Sequence, residues 1–168
     1  MSRHPKLRSI GIAAAFSVVL ALSLAPVTAA ASPLGSLTDT RTLRVQVGGD
    51  SWRLFQATNE SRGRFGVPKL RLNRELSVIA RRHSMAMARS GKLFHTTPAE
   101  AEAHLQGIAW QVWGENVGYT PQGITSIQQA FMDSPDHRDN ILNGAFSEVA
   151  IGSVRVDGTL WVTVFFFG

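Results

Sequence analysis

Apolar residues recur at steps of three and four along the middle of the chain, which is the spacing of one buried helix face. The strongest run covers residues 72–90, and Gly91 is expected to end this helix. The residues on its stripe are Leu72, Leu76, Ile79, Ala80, His83 and Met87. Weaker runs of the same kind predict an earlier helix beginning at Trp52 and a later helix that carries Ile124, Ile127 and Phe131 and stops at Ser134-Pro135.

A further short helix is predicted by the capping box Thr97-Pro98-Ala99-Glu100, in which two side chains satisfy free backbone N–H groups at a helix start. Pro98 fits the first helical position, because an N–H there would have no partner inside the helix. His95 is therefore expected in the loop just before this helix.

Two strands are predicted over residues 149–156 and 159–167, joined by Asp157-Gly158, a dipeptide typical of a type I′ hairpin turn. The second strand is apolar on both faces, whereas a strand with one solvated face alternates with polar residues. Helices are therefore expected on both sides of the sheet. The pattern predicts an α+β fold, a three-layer α-β-α sandwich with a small, mainly antiparallel central sheet.

The N-terminal segment has the pattern of a secretory signal peptide. Basic residues are followed by an almost wholly apolar stretch over residues 10–24, then by Pro26 and a run of alanines. The apolar stretch is shorter than the roughly 20 residues that a membrane-spanning helix needs. We therefore predict a cleaved signal over residues 1–31, a flexible linker over 32–50, one domain over 51–168, and secretion with no membrane span after cleavage.

Charge and cysteine content limit the possible functions. The chain has 17 basic and 12 acidic residues, and three of the basic ones lie in the predicted signal, which leaves the mature part almost neutral. This balance does not favour a nucleic-acid partner. The absence of cysteine excludes disulfides, zinc–thiolate sites and cysteine catalysis, so packing alone must stabilise the domain.

The candidate chemistry rests on a few polar residues in turn-rich or apolar surroundings. His95 and His137 lie in turn-rich segments, where scaffold-held loops often carry function. Glu115 has apolar and aromatic neighbours, so its carboxylate must be paired, either as an anchor for a loop or as part of a site. His83 is interpreted as a core histidine with a hydrogen-bond partner, and His104 as a surface residue. Known catalytic motifs such as H-E-x-x-H and G-x-S-x-G are absent from the sequence.

Taken in order, several segments make the chain resemble the bacterial branch of the CAP superfamily, which includes cysteine-rich secretory proteins, antigen 5 and plant pathogenesis-related proteins of group one. The likeness covers residues 52–168. The matching segments are Asn59-Glu60-Ser61-Arg62, residues 72–90, Leu93-Phe94-His95-Thr96, Gly114-Glu115-Asn116-Val117-Gly118, residues 134–142, residues 146–152 and residues 161–165.

This resemblance implies an α-β-α sandwich with a surface cleft that holds two histidines and two acidic residues. By position, the histidines are His95 and His137, and one acid is Glu115. The other acid falls at Asp133-Ser134, so either Asp133 substitutes or the cleft has one acid only.

Two functions follow from the resemblance and the residues together. The first is a secreted, non-enzymatic binding module for a lipid, a cell-envelope component or a protein. The second is a hydrolase of peptides or wall polymers, in which His95 and His137 bind a divalent cation such as Zn²⁺ and Glu115 acts as general base. The module is favoured, because no nucleophile is evident and only two imidazole ligands are available.

Overall fold

The computed structural model describes residues 49–168, which fold into five helices and four strands. The helices are α1 (Gly49–Arg64), α2 (Arg74–Ser90), α3 (Pro98–His104), α4 (Ile124–Asp133) and α5 (Pro135–Leu142). The strands are β1 (Arg71–Leu72), β2 (Trp113–Thr120), β3 (Glu148–Val156) and β4 (Thr159–Phe167). The predicted signal peptide and most of the predicted linker lie outside the described residues.

The four strands form one sheet in the order β1-β3-β4-β2. β4 is antiparallel to both of its neighbours, and the two-residue β1 is parallel to β3. Asp157 and Gly158 both have positive φ, at 47° and 77°, as a type I′ hairpin turn requires. The predicted hairpin and the mainly antiparallel sheet are confirmed.

Each face of β4 packs against a different set of helices, which confirms the predicted three layers. One face meets α1, α4 and α5 in a core formed by residues that include Leu54, Ile127, Phe131, Ile141, Leu160, Val162, Val164 and Phe166. The other face meets α2 and α3 in a core that includes Leu76, Ala80, Ala101, Leu105, Phe165 and Phe167. Within residues 49–168, no helix combines the length and the apolar character needed to cross a bilayer.

Some elements differ from the sequence prediction. α2 begins at Arg74 rather than at Leu72, because Leu72 pairs with β3 and the Asn73 side chain caps the helix by accepting from the backbone N–H of Leu76. α1 begins at Gly49, three residues before the predicted start, so the last two residues of the predicted linker are helical. β2 and α5 were not predicted as regular structure.

Arg62 is a charged residue inside the domain, with no exposed surface. Its guanidinium donates hydrogen bonds to four backbone carbonyl oxygens, those of Pro68, Ile141, Asn143 and Phe146. Burial lowers the pKa of Arg62, and the four acceptors replace the water that the cation has lost. The residue thereby joins α1 to the C-terminal end of α5.

Candidate functional site

Glu115 is at the centre of the site and is held by β2. It is paired with Phe165 of β4, so both side chains lie on the sheet face that α2 and α3 cover. The Glu115 side chain is 1% exposed and accepts three hydrogen bonds. The donors are His95 Nδ1 at 2.9 Å, the Thr96 backbone N–H at 2.9 Å and Thr96 Oγ1 at 2.6 Å.

These bonds keep the buried carboxylate ionised. Burial alone would raise the pKa of Glu115, because a low-dielectric site disfavours the charge. The hydrogen bonds from His95 and Thr96 outweigh burial, and the nearby His83 acts in the same direction, so the pKa lies below its ordinary value. A carboxylate in this state is a weak base, and both of its oxygens are already engaged.

His95 projects from the loop between α2 and α3, with 37% of its side chain exposed. An ionised carboxylate can only accept, so the ring must donate from Nδ1 to Glu115. The neutral ring then has an unprotonated Nε2, which has no hydrogen-bond partner among residues 49–168. Glu115 therefore selects the tautomer of His95 and leaves one acceptor nitrogen available to a ligand.

His137 lies in the first turn of α5, not in a loop as its turn-rich sequence suggested. Its ring packs edge-on against Phe131, with ring centroids 5.0 Å apart. Burial lowers the pKa of His137, and the nearby His95 lowers it further, while Asp136 opposes both. The neutral form of His137 is therefore favoured.

Two asparagines that were not singled out as site residues join β2, which carries Glu115, to α5, which carries His137. Asn116 is fully buried, and its Nδ2 donates to the His137 carbonyl oxygen at 2.9 Å. Asn140 Nδ2 donates to Asn116 Oδ1 at 2.9 Å and to the Glu115 carbonyl oxygen at 3.3 Å. A Cβ on Gly114 would lie 2.6 Å from Asn140 Oδ1, so a larger residue there would displace the side chain that makes these bonds. The signal available in the sequence was an amide residue directly after Glu115 in an apolar segment.

Asp133 and Ser134, which we expected in the cleft, lie at the junction of α4 and α5. Asp133 is exposed at the end of α4, where its Oδ1 accepts from Gln129 Nε2 at 2.7 Å. It lines a separate groove between α1 and α4, of about 390 Å³, together with Arg138. Ser134 joins α4 to α5 without a side-chain capping bond. The helical phase of α4 turns Asp133 towards α1, which favours the alternative of a cleft with one acid.

The residues of the cleft do not form a three-ligand metal site. Among residues 49–168, no group of three or more His, Asp or Glu side chains has an arrangement suited to a metal ion. Glu115 is held by three donors, so it is not free to act as a third ligand or as a general base. An ion bound to His95 and His137 would have to take its other ligands from water or from a bound molecule.

The other two histidines among residues 49–168, His83 and His104, lie close to Glu115. His83 has the predicted hydrogen-bond partner, the carbonyl oxygen of Phe94 at 2.9 Å, but it is half-buried rather than in the core. His104 is also half-buried, which differs from the predicted surface position. Both line a small cavity of about 10 Å³ that also contacts Thr96 and Glu115.

Comparison with known proteins gives a consistent family assignment. The family model described as "CAP: Cysteine-rich secretory protein family" matches residues 55–166. The uncharacterized protein YkwD of Bacillus subtilis is 28% identical over 117 residues, which are 67% of this chain and 45% of that protein. The chain thus spans less than half the length of this curated relative.

Solved structures show the same fold. An extracellular protein containing an SCP domain from Bacillus anthracis has a TM-score of 0.63 and 25% identity, over 80% of this chain and 45% of that chain. An outer surface protein from Borrelia burgdorferi has a TM-score of 0.61 and 16% identity, over 70% of this chain and 91% of that chain. The second likeness is one of fold alone.

Proposed function

Because the chain belongs to the CAP family of cysteine-rich secretory proteins, we propose that it is a secreted, non-enzymatic binding module. Its ligand, a lipid or another component of the cell envelope, occupies the cleft of His95, Glu115 and His137. Export is supported by the signal-like N-terminal sequence and by two structural relatives described as an extracellular and an outer surface protein.

The observation that carries this proposal is the burial and the hydrogen bonding of the Glu115 carboxylate. Its carboxylate accepts three hydrogen bonds and is almost completely buried, so it orients His95 and Thr96 instead of moving a proton. A hydrolase would need a carboxylate oxygen free to take a proton from water. The geometry therefore favours binding over metal-dependent hydrolysis of peptides or wall polymers.

The two imidazoles supply the polar contacts of the cleft. His95 offers Nε2 as an acceptor in its neutral form, and the ring nitrogens of His137 have no hydrogen-bond partner among residues 49–168. Both rings also contribute apolar surface, which is the combination that suits a headgroup or a wall polymer with hydroxyl and amide groups.

A sedimentation assay with two envelope probes tests the proposal. Wild type and the double variant His95→Ala/His137→Ala are mixed with purified peptidoglycan sacculi or with phosphatidylglycerol vesicles, and the bound fraction is measured. His104→Ala is the matched control, because it removes a histidine outside the pair. We expect wild type and His104→Ala to bind one probe alike and the double variant to bind at least about tenfold more weakly, as for two lost hydrogen bonds.

Two results would contradict the proposal. Equal binding by the double variant would place the ligand elsewhere on the surface. Release of soluble fragments from sacculi by wild type, abolished in a folded Glu115→Gln variant, would show that the cleft catalyses hydrolysis and that Glu115 acts as a base.

A further inference from the structure

The loop that carries His95 is held from two opposite sides. On the sheet side, Glu115 of β2 binds both His95 and Thr96. On the helix side, His83 Nε2 of α2 lies 2.9 Å from the carbonyl oxygen of Phe94. The three consecutive loop residues 94–96 are therefore each bonded to a rigid element of the sandwich.

The bond from His83 does not depend on the charge of its ring. A carbonyl oxygen only accepts, so His83 must donate from Nε2, and that proton is present both in one neutral tautomer and in the protonated ring. The groups around His83 are Thr96, His104 and Glu115, which line the same small cavity. The contact with Phe94 thus requires only that Nε2 carries its proton.

His83 contacts both the backbone and the ring of Phe94. The Phe94 side chain is turned outward, and the residue is 42% exposed. The Phe94 ring meets the His83 ring edge-on, with centroids 4.9 Å apart. Without the bond from His83, residues 94–96 would lose their hydrogen bond to α2.

We infer that His83 is a positioning residue of the cleft: by fixing Phe94, it holds the loop so that His95 Nδ1 meets Glu115 and His95 Nε2 faces the cleft. The functional meaning of this role rests on the proposed binding function. The positioning itself is a property of the free protein, and it can be tested without any ligand.

The test compares three variants in the whole protein by NMR. His83→Leu removes the donor and keeps an apolar side chain of moderate size. His83→Gln restores an amide N–H donor near the position of Nε2. His104→Gln is the matched control, because His104 lines the same cavity but makes no hydrogen bond to residues 92–97. The readouts are the tautomer of His95, from its ring nitrogen shifts, and hydrogen exchange of the Thr96 amide relative to that of Val164 in β4.

We expect the His95 ring of His83→Leu to populate both neutral tautomers. We expect the hydrogen exchange of the Thr96 amide to become about fivefold to tenfold faster, as for the loss of one hydrogen bond. His83→Gln and His104→Gln should both match wild type. Unchanged Thr96 exchange and one His95 tautomer in His83→Leu would overturn the inference. The inference would also be overturned if Thr96 exchanged as fast in His83→Gln as in His83→Leu. The same holds if His104→Gln changed Thr96 exchange as much as His83→Leu does, because packing around the cavity would then be the cause.

Discussion

Glu115 shows how one residue sets the state of its neighbours. It selects the tautomer of His95 and fixes the backbone of Thr96, while its own charge depends on both. The apolar surroundings of Glu115 in the sequence required its carboxylate to be paired, and the structure confirms this pairing. The sequence could not choose between an anchor and a base, because that choice depends on how many donors reach the carboxylate.

Glu115→Gln should destabilise the domain by about 2 kcal/mol at pH 7, because charge-assisted bonds are lost and the amide N–H₂ opposes the donors of Thr96. The pKa of Glu115 is lowered on folding, so its contribution is complete above the unfolded-state pKa of about 4.3 and is lost as the pH falls through the folded-state pKa. Urea unfolding of both proteins at pH 7, 5 and 3 measures this. The difference between the two free energies of unfolding should become smaller as the pH falls, and a constant difference would contradict the assigned pKa direction.

Of the two alternatives for Asp133, its position favours a cleft with one acid, for a reason that lies in helix geometry. The resemblance placed an acid near this position in the sequence, but the orientation of a residue at a helix end depends on where the helix starts. α4 begins at Ile124, and this phase places Asp133 one turn after Gln129, towards α1.

The elements that the sequence predicted are those with local signals. The capping box of Thr97 and Glu100 forms as expected, and so does the hairpin turn at Asp157-Gly158. β2 has no such signal, since it contains Gly114 and Gly118 and becomes a strand only by pairing with β4, more than 40 residues later. Contacts that distant cannot be deduced from local pattern.

α2 and β3 meet at Gly152 more closely than any side chain would permit. A Cβ at this position would lie 2.1 Å from the carbonyl carbon of Ala80 and from the backbone N of Arg81. Ser84 also donates to the Gly152 carbonyl oxygen, at 3.2 Å. The distance between the helix layer and the sheet is therefore set by this glycine.

Gly152→Ala should force α2 away from the sheet and lower the free energy of unfolding by about 3 kcal/mol or more. Gly144→Ala is the control, because a Cβ there has nothing within 4 Å and should change stability by less than about 0.5 kcal/mol. Thermal and urea denaturation of both variants measure the difference. Similar stability of the two would mean that α2 can move outward at little cost.

At the scale of the whole molecule, the first turn of α1 is bonded to the central sheet. Asp50 accepts from Arg155 Nε at 2.7 Å, and the hydroxyls of Ser51 and Ser153 are 2.7 Å apart. These contacts tie the first turn of α1 to β3. The three-layer fold itself was predictable, because its signal is the two-sided apolar pattern of a single strand.

Limited proteolysis should remove residues before Gly49 and leave a fragment with an unchanged melting temperature, in line with the predicted linker. A shorter fragment that begins after Ser51 should melt several degrees lower, because it lacks both ties to β3. Mass spectrometry of the digest and calorimetry of each fragment measure this. A loss of stability on removal of residues 32–48 would show that this segment belongs to the packed domain.

The central position of β4 has a consequence for how the protein comes to be folded. A growing chain acquires α1 to α5 and β1 to β3 first, but β2 and β3 have no common partner until residues 159–167 have been added. Neither core layer can close before that moment. The sheet and the core on each of its faces can therefore be completed only after β4 has been synthesised.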